Sequence, residues 1–67
     1  MENKTYSSKL IELRKKKGMS RAKVANEIGV SRSAVAMYER GERVPKDDIK
    51  VKLAKFYNKS IAFIFYS

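Results

Sequence analysis

Arg14, Lys15, Lys16, Lys17, Arg21, Lys23 and Arg32 crowd the stretch from Leu13 to Tyr38, where Glu27 is the one acid. Guanidinium and ammonium groups gathered on one segment make the electrostatic footprint of a polyanion-binding face. The bland alternative is a solubilising surface, since the whole chain carries 16 Lys and Arg against 7 Asp and Glu, a net charge of +9. The concentration of charge on one stretch favours a polyanion, nucleic acid first. Other chemistry is harder to build. The chain has no Cys and no His, which removes zinc modules and most nucleophile-plus-base sites. Its Asp, Glu, Ser, Lys and Tyr residues form no recognisable catalytic constellation. The expectation is a protein that is not an enzyme, holds no metal or cofactor, and shows no evident small-molecule ligand.

The elements that must position those charges lie in residues 21–40, RAKVANEIGVSRSAVAMYER. Gly29, alone after an apolar-periodic segment, supplies the left-handed conformation that ends one helix. Ser31 caps the next helix two residues later. Ala25 stands where a close helix crossing leaves room for little more than a methyl group. Val24, Ile28, Val30, Val35 and Tyr38 can then close over one small core. The opposite face of the second of these helices carries Arg32, Ser33, Ala36, Met37 and Arg40, and is free to touch something else. Neither helix opens with acids: Arg21 and Lys23 occupy the first turn of one, and after Arg32 no acid comes before Glu39. A bound phosphate could supply the missing negative charge to their free N–H groups.

Around this unit the remaining pattern predicts support. Residues 1–5 read as a flexible tail. Tyr6, Leu10 and Leu13 place a first helix over about Ser8 to Lys17, with Ser7 as N-cap and a Tyr6–Ile11 staple. Lys15, Lys16 and Lys17 suit the negative end of that helix dipole, a structural role, and Gly18 ends it. Met19 is expected to plug the core, and Ser20 to cap a helix from Arg21 to Ile28. After the third helix, Arg32–Arg40, comes a loop of Glu42, Arg43, Val44 and Pro45, whose proline forbids helical continuation. Asp47 and Asp48 suit the first turn of a fourth helix running to about Tyr57, with Ile49, Leu53 and Phe56 as its stripe and Tyr57 beside it. Asn58 takes the left-handed position after it, and Ser60 caps a short last helix, Ile61–Tyr66. Five helices and no strand signal predict an all-α, compact single domain over residues 1–67. A domain of this size buries only about 60% of the surface of its unfolded chain, so its stability margin is thin. The polar N-terminus and an apolar run of no more than Ile61–Tyr66 predict neither leader nor membrane span, hence a cytoplasmic protein.

Ala25, Gly29, Val35 and Tyr38 at these spacings, with ELRKKKGMS before and YERGERVP after, closely resemble the Cro/CI-like (XRE-type) helix-turn-helix DNA-binding family. The match runs from about Leu10 to Phe65. The resemblance implies a fold of the phage-repressor DNA-binding type, with the helix-turn-helix at helices 2 and 3 and the third helix in the major groove. It places Arg32, Ser33, Ala36 and Met37 at base edges, and Arg21, Ser31 and Arg43 at the DNA backbone. It also pairs Arg14 with Glu39 as an ion pair between the first helix and the end of the third, the alternative being that each is simply exposed. Many members begin both helices with glutamine, where this chain has Arg21 and Arg32. Arg32 can pair bidentately with guanine O6 and N7, or turn to a phosphate. Ser33 can read a base or only support the helix start. Ala36 and Met37 can contact a thymine methyl, or Met37 can simply fill an irregular interface. The implied function is a sequence-specific transcriptional regulator, a repressor bound to double-stranded DNA. The alternative is a protein-interaction module on the same fold, such as an antitoxin.

The last helix is apolar almost all round. Ile61, Ile64 and Phe65 can cover the core, which leaves Phe63 and Tyr66 as an exposed liability. The expectation is a two-fold homodimer joined through residues 60–67, with Phe63 central and Val51, Ile61 and Tyr66 around it, on a palindromic operator.

Overall fold

In the computed structural model, which describes residues 5–66, the chain forms α1 (Tyr6–Lys17), α2 (Arg21–Ile28), α3 (Arg32–Arg40), α4 (Asp47–Tyr57) and α5 (Ile61–Phe65). No strand occurs among the described residues. Left-handed residues stop the first four helices where the pattern placed them. Gly29 sits at φ 86° after α2, and Asn58 at φ 57° after α4. Serine caps open three of the five helices: Ser20, Ser31 and Ser60 each accept a hydrogen bond from the backbone N–H three residues on.

The start of α1 departs from expectation. Thr5, extended at φ −87°, is the N-cap and accepts from Ser8 N–H at 3.5 Å. Ser7 lies inside the first turn with its hydroxyl 2.6 Å from that of Thr5. A threonine caps nearly as well as a serine, and the earlier start gives Tyr6 tertiary partners. Its hydroxyl donates to the Arg43 carbonyl at 3.1 Å and its ring lies 5.8 Å from Phe65. Of the expected tail, Thr5 is therefore part of the helix cap, and residues 1–4 lie outside the described residues.

The core draws on every helix: Leu10 and Leu13 from α1, Val24, Ala25 and Ile28 from α2, Ala34, Val35 and Tyr38 from α3, Leu53, Ala54 and Tyr57 from α4, and Ile64 from α5. Met19 and Val30 pack against it half-buried. The stripe of α4 is rotated from the expected one, with Ala54 and Tyr57 buried beside Leu53 while Ile49 and Phe56 stay at the margin. Ala54 gives the weakest hydrophobic signal of these and allows the closest approach. Phe56 instead stands edge-on to Tyr57 at 5.1 Å, beneath the Lys17 ammonium. α5 ends at Phe65, one residue earlier than expected, and packs mainly on α4 and α1. That leaves the outer face of α2 and α3 uncovered.

Candidate nucleic-acid interface

The turn between α2 and α3 fixes the geometry of the site. Both Gly29 and Val30 donate their N–H to the Ala25 carbonyl, at 2.8 and 3.0 Å. The chain thereby folds back over a residue that is itself only 4% exposed. Ser31 then receives Ala34 N–H on its side-chain oxygen, and α3 starts with a fixed rotation. That rotation buries Ala34, Val35, Tyr38 and Glu39. It leaves Arg32 and Ser33 exposed and Ala36 and Met37 half-exposed.

The four expected base readers line one shallow concavity of about 760 Å³ together with Ser20, Arg21 and Ala22 at the head of α2, and with Arg14 and Arg40. Arg21, expected at the DNA backbone, is thus part of the same surface. Ser31 and Arg43 are exposed outside that concavity, one at the turn and one in the loop after α3. Ala22 was not singled out from sequence, and Ser20 was expected only as a helix cap. Their signal was available, because the residues capping and opening α2 must share the face that Arg21 occupies. Arg40 is held by Glu42 through two hydrogen bonds, at 3.1 and 3.2 Å. That pairing raises its pKa and offsets its charge locally.

Beneath the concavity lies a buried carboxylate. The Glu39 side chain is 1% exposed; its Oε2 accepts from Arg14 Nε at 2.7 Å and its Oε1 from Arg21 Nε at 2.9 Å. Arg14 also donates from Nη1 to the Met19 carbonyl at 2.9 Å. The expected Arg14–Glu39 pair is present, and Arg21 joins it as a third member. Hydrogen bonding to Glu39 raises the Arg14 pKa. Nearby, burial pushes the Tyr57 phenol up to about 12, with the Glu39 charge adding to the effect.

The residues expected at a dimer interface occupy a separate part of the surface. Phe63 is 45% exposed, Tyr66 65% and Val51 38%, whereas Ile61 is half-buried against the core. Lysines surround the aromatic pair. The ammonium groups of Lys9 and Lys59 stand over the Phe63 ring, and Lys9 donates to the Phe63 carbonyl. Lys50 donates to the Tyr66 hydroxyl at 2.9 Å, which raises the Lys50 pKa. Among the described residues no group of acids could hold a metal ion, and no helix is long and apolar enough to cross a membrane.

Residues 10–64 match the helix-turn-helix family. The chain is 42% identical over 57 residues to the cryptic phage CTXphi transcriptional repressor RstR of Vibrio cholerae, covering 85% of this chain. It spans about half the length of that relative, 51%. It is 32% identical over 59 residues to the uncharacterized HTH-type transcriptional regulator YgzD of Bacillus subtilis, covering 88% of this chain and 89% of that protein. In three dimensions it superimposes on the crystal structure of the P22 c2 repressor in complex with a synthetic operator, with a TM-score of 0.93 at 23% identity over 96% of this chain and 97% of the other. That likeness establishes the fold.

Proposed function

From a chain that belongs to the helix-turn-helix family, of the Cro/CI-like (XRE) type, we propose a sequence-specific DNA-binding transcriptional regulator, a repressor, that lays α3 in the major groove of double-stranded DNA. One observation carries the reading: Arg32, Ser33, Ala36 and Met37 share a single uncovered concavity with Arg21. It combines charge for phosphates with short and apolar side chains for base edges. In this reading Arg32 pairs with a guanine, Ala36 and Met37 meet a thymine methyl, and Ser33 bonds a neighbouring base. Arg21, Ser31 and Arg43 hold the sugar-phosphate backbone on either side. The Vibrio cholerae relative is named a transcriptional repressor, and the P22 structure contains an operator; both support the same direction.

The protein works as a homodimer on an approximately palindromic operator, in the cytoplasm. Selection of bound sequences from a random duplex pool tests the proposal. A single motif should enrich, and binding to it should weaken steeply with salt as phosphate counterions compete. A pool that enriches nothing overturns the regulator and leaves an interaction module, such as an antitoxin, as the use of the fold.

A further inference from the structure

Glu39 has more partners than its burial requires. Taking a carboxylate out of water is costly unless a cation and good hydrogen bonds replace the solvent. Arg14 alone supplies a cation at 2.7 Å, and its side chain is just 13% exposed. Its Nε and Nη1 are both engaged inside the protein, on Glu39 and on the Met19 carbonyl. Arg14 therefore acts as the internal counter-ion.

Arg21 is placed differently. Its side chain is 41% exposed and lines the concavity shared with Arg32, Ser33 and Met37. It touches Glu39 through Nε alone. The planar guanidinium carries five N–H donors in a rigid fork, so the Nε bond fixes the plane while the two Nη groups remain to face the groove. Lysine, with one ammonium, could not bond the carboxylate and an outside anion in the same fixed geometry. The cluster of one carboxylate and two guanidiniums keeps a net positive charge, and the positive end nearest solvent is Arg21.

We propose that Glu39 is a positioning residue for DNA binding: its Oε1 holds the Arg21 guanidinium so that the Nη groups are already aimed at a backbone phosphate before DNA arrives. This rests on the regulator reading above. An arginine on a surface otherwise loses its rotamer freedom when it binds, and holding it beforehand removes that loss. The buried carboxylate thus links the α1–α3 contact to the phosphate contact at the head of α2. The competing possibility is that Glu39 restrains Arg21 from the DNA, and the two predict opposite signs.

The test is a double-mutant cycle on the duplex enriched from the random pool, with folding of each variant followed by circular dichroism. Arg21→Ala should weaken binding about tenfold and lower the salt slope by about one unit, as loss of one phosphate contact does. Glu39→Gln in the parent should weaken binding by roughly three- to tenfold, the range expected for one unrestrained side chain. It should leave the salt slope unchanged, because the Arg21 charge remains. In the Arg21→Ala background the same Glu39→Gln change should have no further effect. Equal losses in both backgrounds make Glu39 merely structural, and tighter binding by Glu39→Gln makes it a restraint; either overturns the proposal. Should Glu39→Gln fail to fold, the parent itself decides the matter by NMR. The Arg21 Nε–H signal should be protected from exchange in the free protein and remain so in the complex. Loss of that protection on adding duplex means Arg21 leaves Glu39 to reach DNA, which also overturns the proposal. A parent that enriches no duplex overturns the regulator reading with it, whereas a parent that binds DNA with no coupling overturns the Glu39 role alone.

Discussion

Arg21 and Arg32 are the same residue at the same place in two successive helices, and their surroundings separate them. Arg21 is tied to Glu39 at 2.9 Å, while Arg32 stands exposed at the head of α3. Arg32→Ala should therefore weaken specific binding by about 1–3 kcal/mol and relax preference at one base position, as loss of a bidentate guanine contact does. Titrations on specific and scrambled duplexes check this, and an equal loss on both would reassign Arg32 to a phosphate. The resemblance made the Arg14–Glu39 pair legible, but not the second guanidinium. Sequence spacing says which helix faces meet, and a half-exposed side chain can still choose among several acceptors there. Tyr57 was legible only as an apolar neighbour on α4. Its phenol holds its proton up to about 12 in the fold, whereas an unfolded tyrosine releases it near pH ~10. Between those values the unfolded chain binds fewer protons, so stability falls as pH rises through that window, and below it Tyr57 contributes no slope. Urea midpoints at the two ends of the window should drop more for the parent than for Tyr57→Phe. Equal drops would refute the assignment.

At the scale of elements, α2 and α3 are too short to persist alone, so the turn between them carries much of the site's precision. A Cβ at Gly29 would meet no atom within 4 Å, but the residue sits at φ +86°. The penalty for Gly29→Val is thus backbone strain, about 1–3 kcal/mol. Gly29→Asn should lose less, since Asn58 already adopts this conformation in the same chain. Ala25→Leu should lose a similar ~1–3 kcal/mol for a different reason, overpacking at the helix crossing. Thermal melts distinguish these from neutral changes, and parent-like stability in both Gly29→Val and Ala25→Leu would mean the turn does not control the crossing. These elements were legible because each boundary has its own chemistry: Ser20 and Ser31 at starts, Gly29 and Asn58 at stops. The start of α1 was not. Thr5 and Ser7 can both cap, and only the Tyr6 contacts to Arg43 and Phe65 select the earlier one. The stripe of α4 was blurred for a related reason, since periodicity does not rank Ala54 above Phe56 and close packing does.

On the scale of the whole molecule, a domain of 33 × 23 × 19 Å presents, in α3, one nine-residue helix for the proposed base contacts, a length of about 13 Å. One such helix spans few base pairs, so useful specificity calls for two. A two-fold pair joined around Phe63 would set the recognition helices about 34 Å apart, one turn of DNA, and the operator would be an approximate palindrome. The apolar part of that surface was legible in the run Ile61–Tyr66. Most of its lysine border was not: Lys59 lies just before the run, but Lys9 and Lys50 belong to α1 and α4 and meet the aromatic rings only in the fold. In a dimer joined through this surface those ammonium groups would lie near their own copies, and like charges repel until salt screens them. Self-association should therefore strengthen as salt rises, while the affinity of an assembled dimer for DNA falls. Phe63→Glu should give a folded monomer, its new carboxylate balanced by Lys9 and Lys59, with much weaker binding to a palindrome and little change on a half-site. Light scattering across a salt series and paired titrations on the two duplexes measure both effects. A parent that stays monomeric at every salt concentration and binds a half-site as tightly as the palindrome would rule the dimer out.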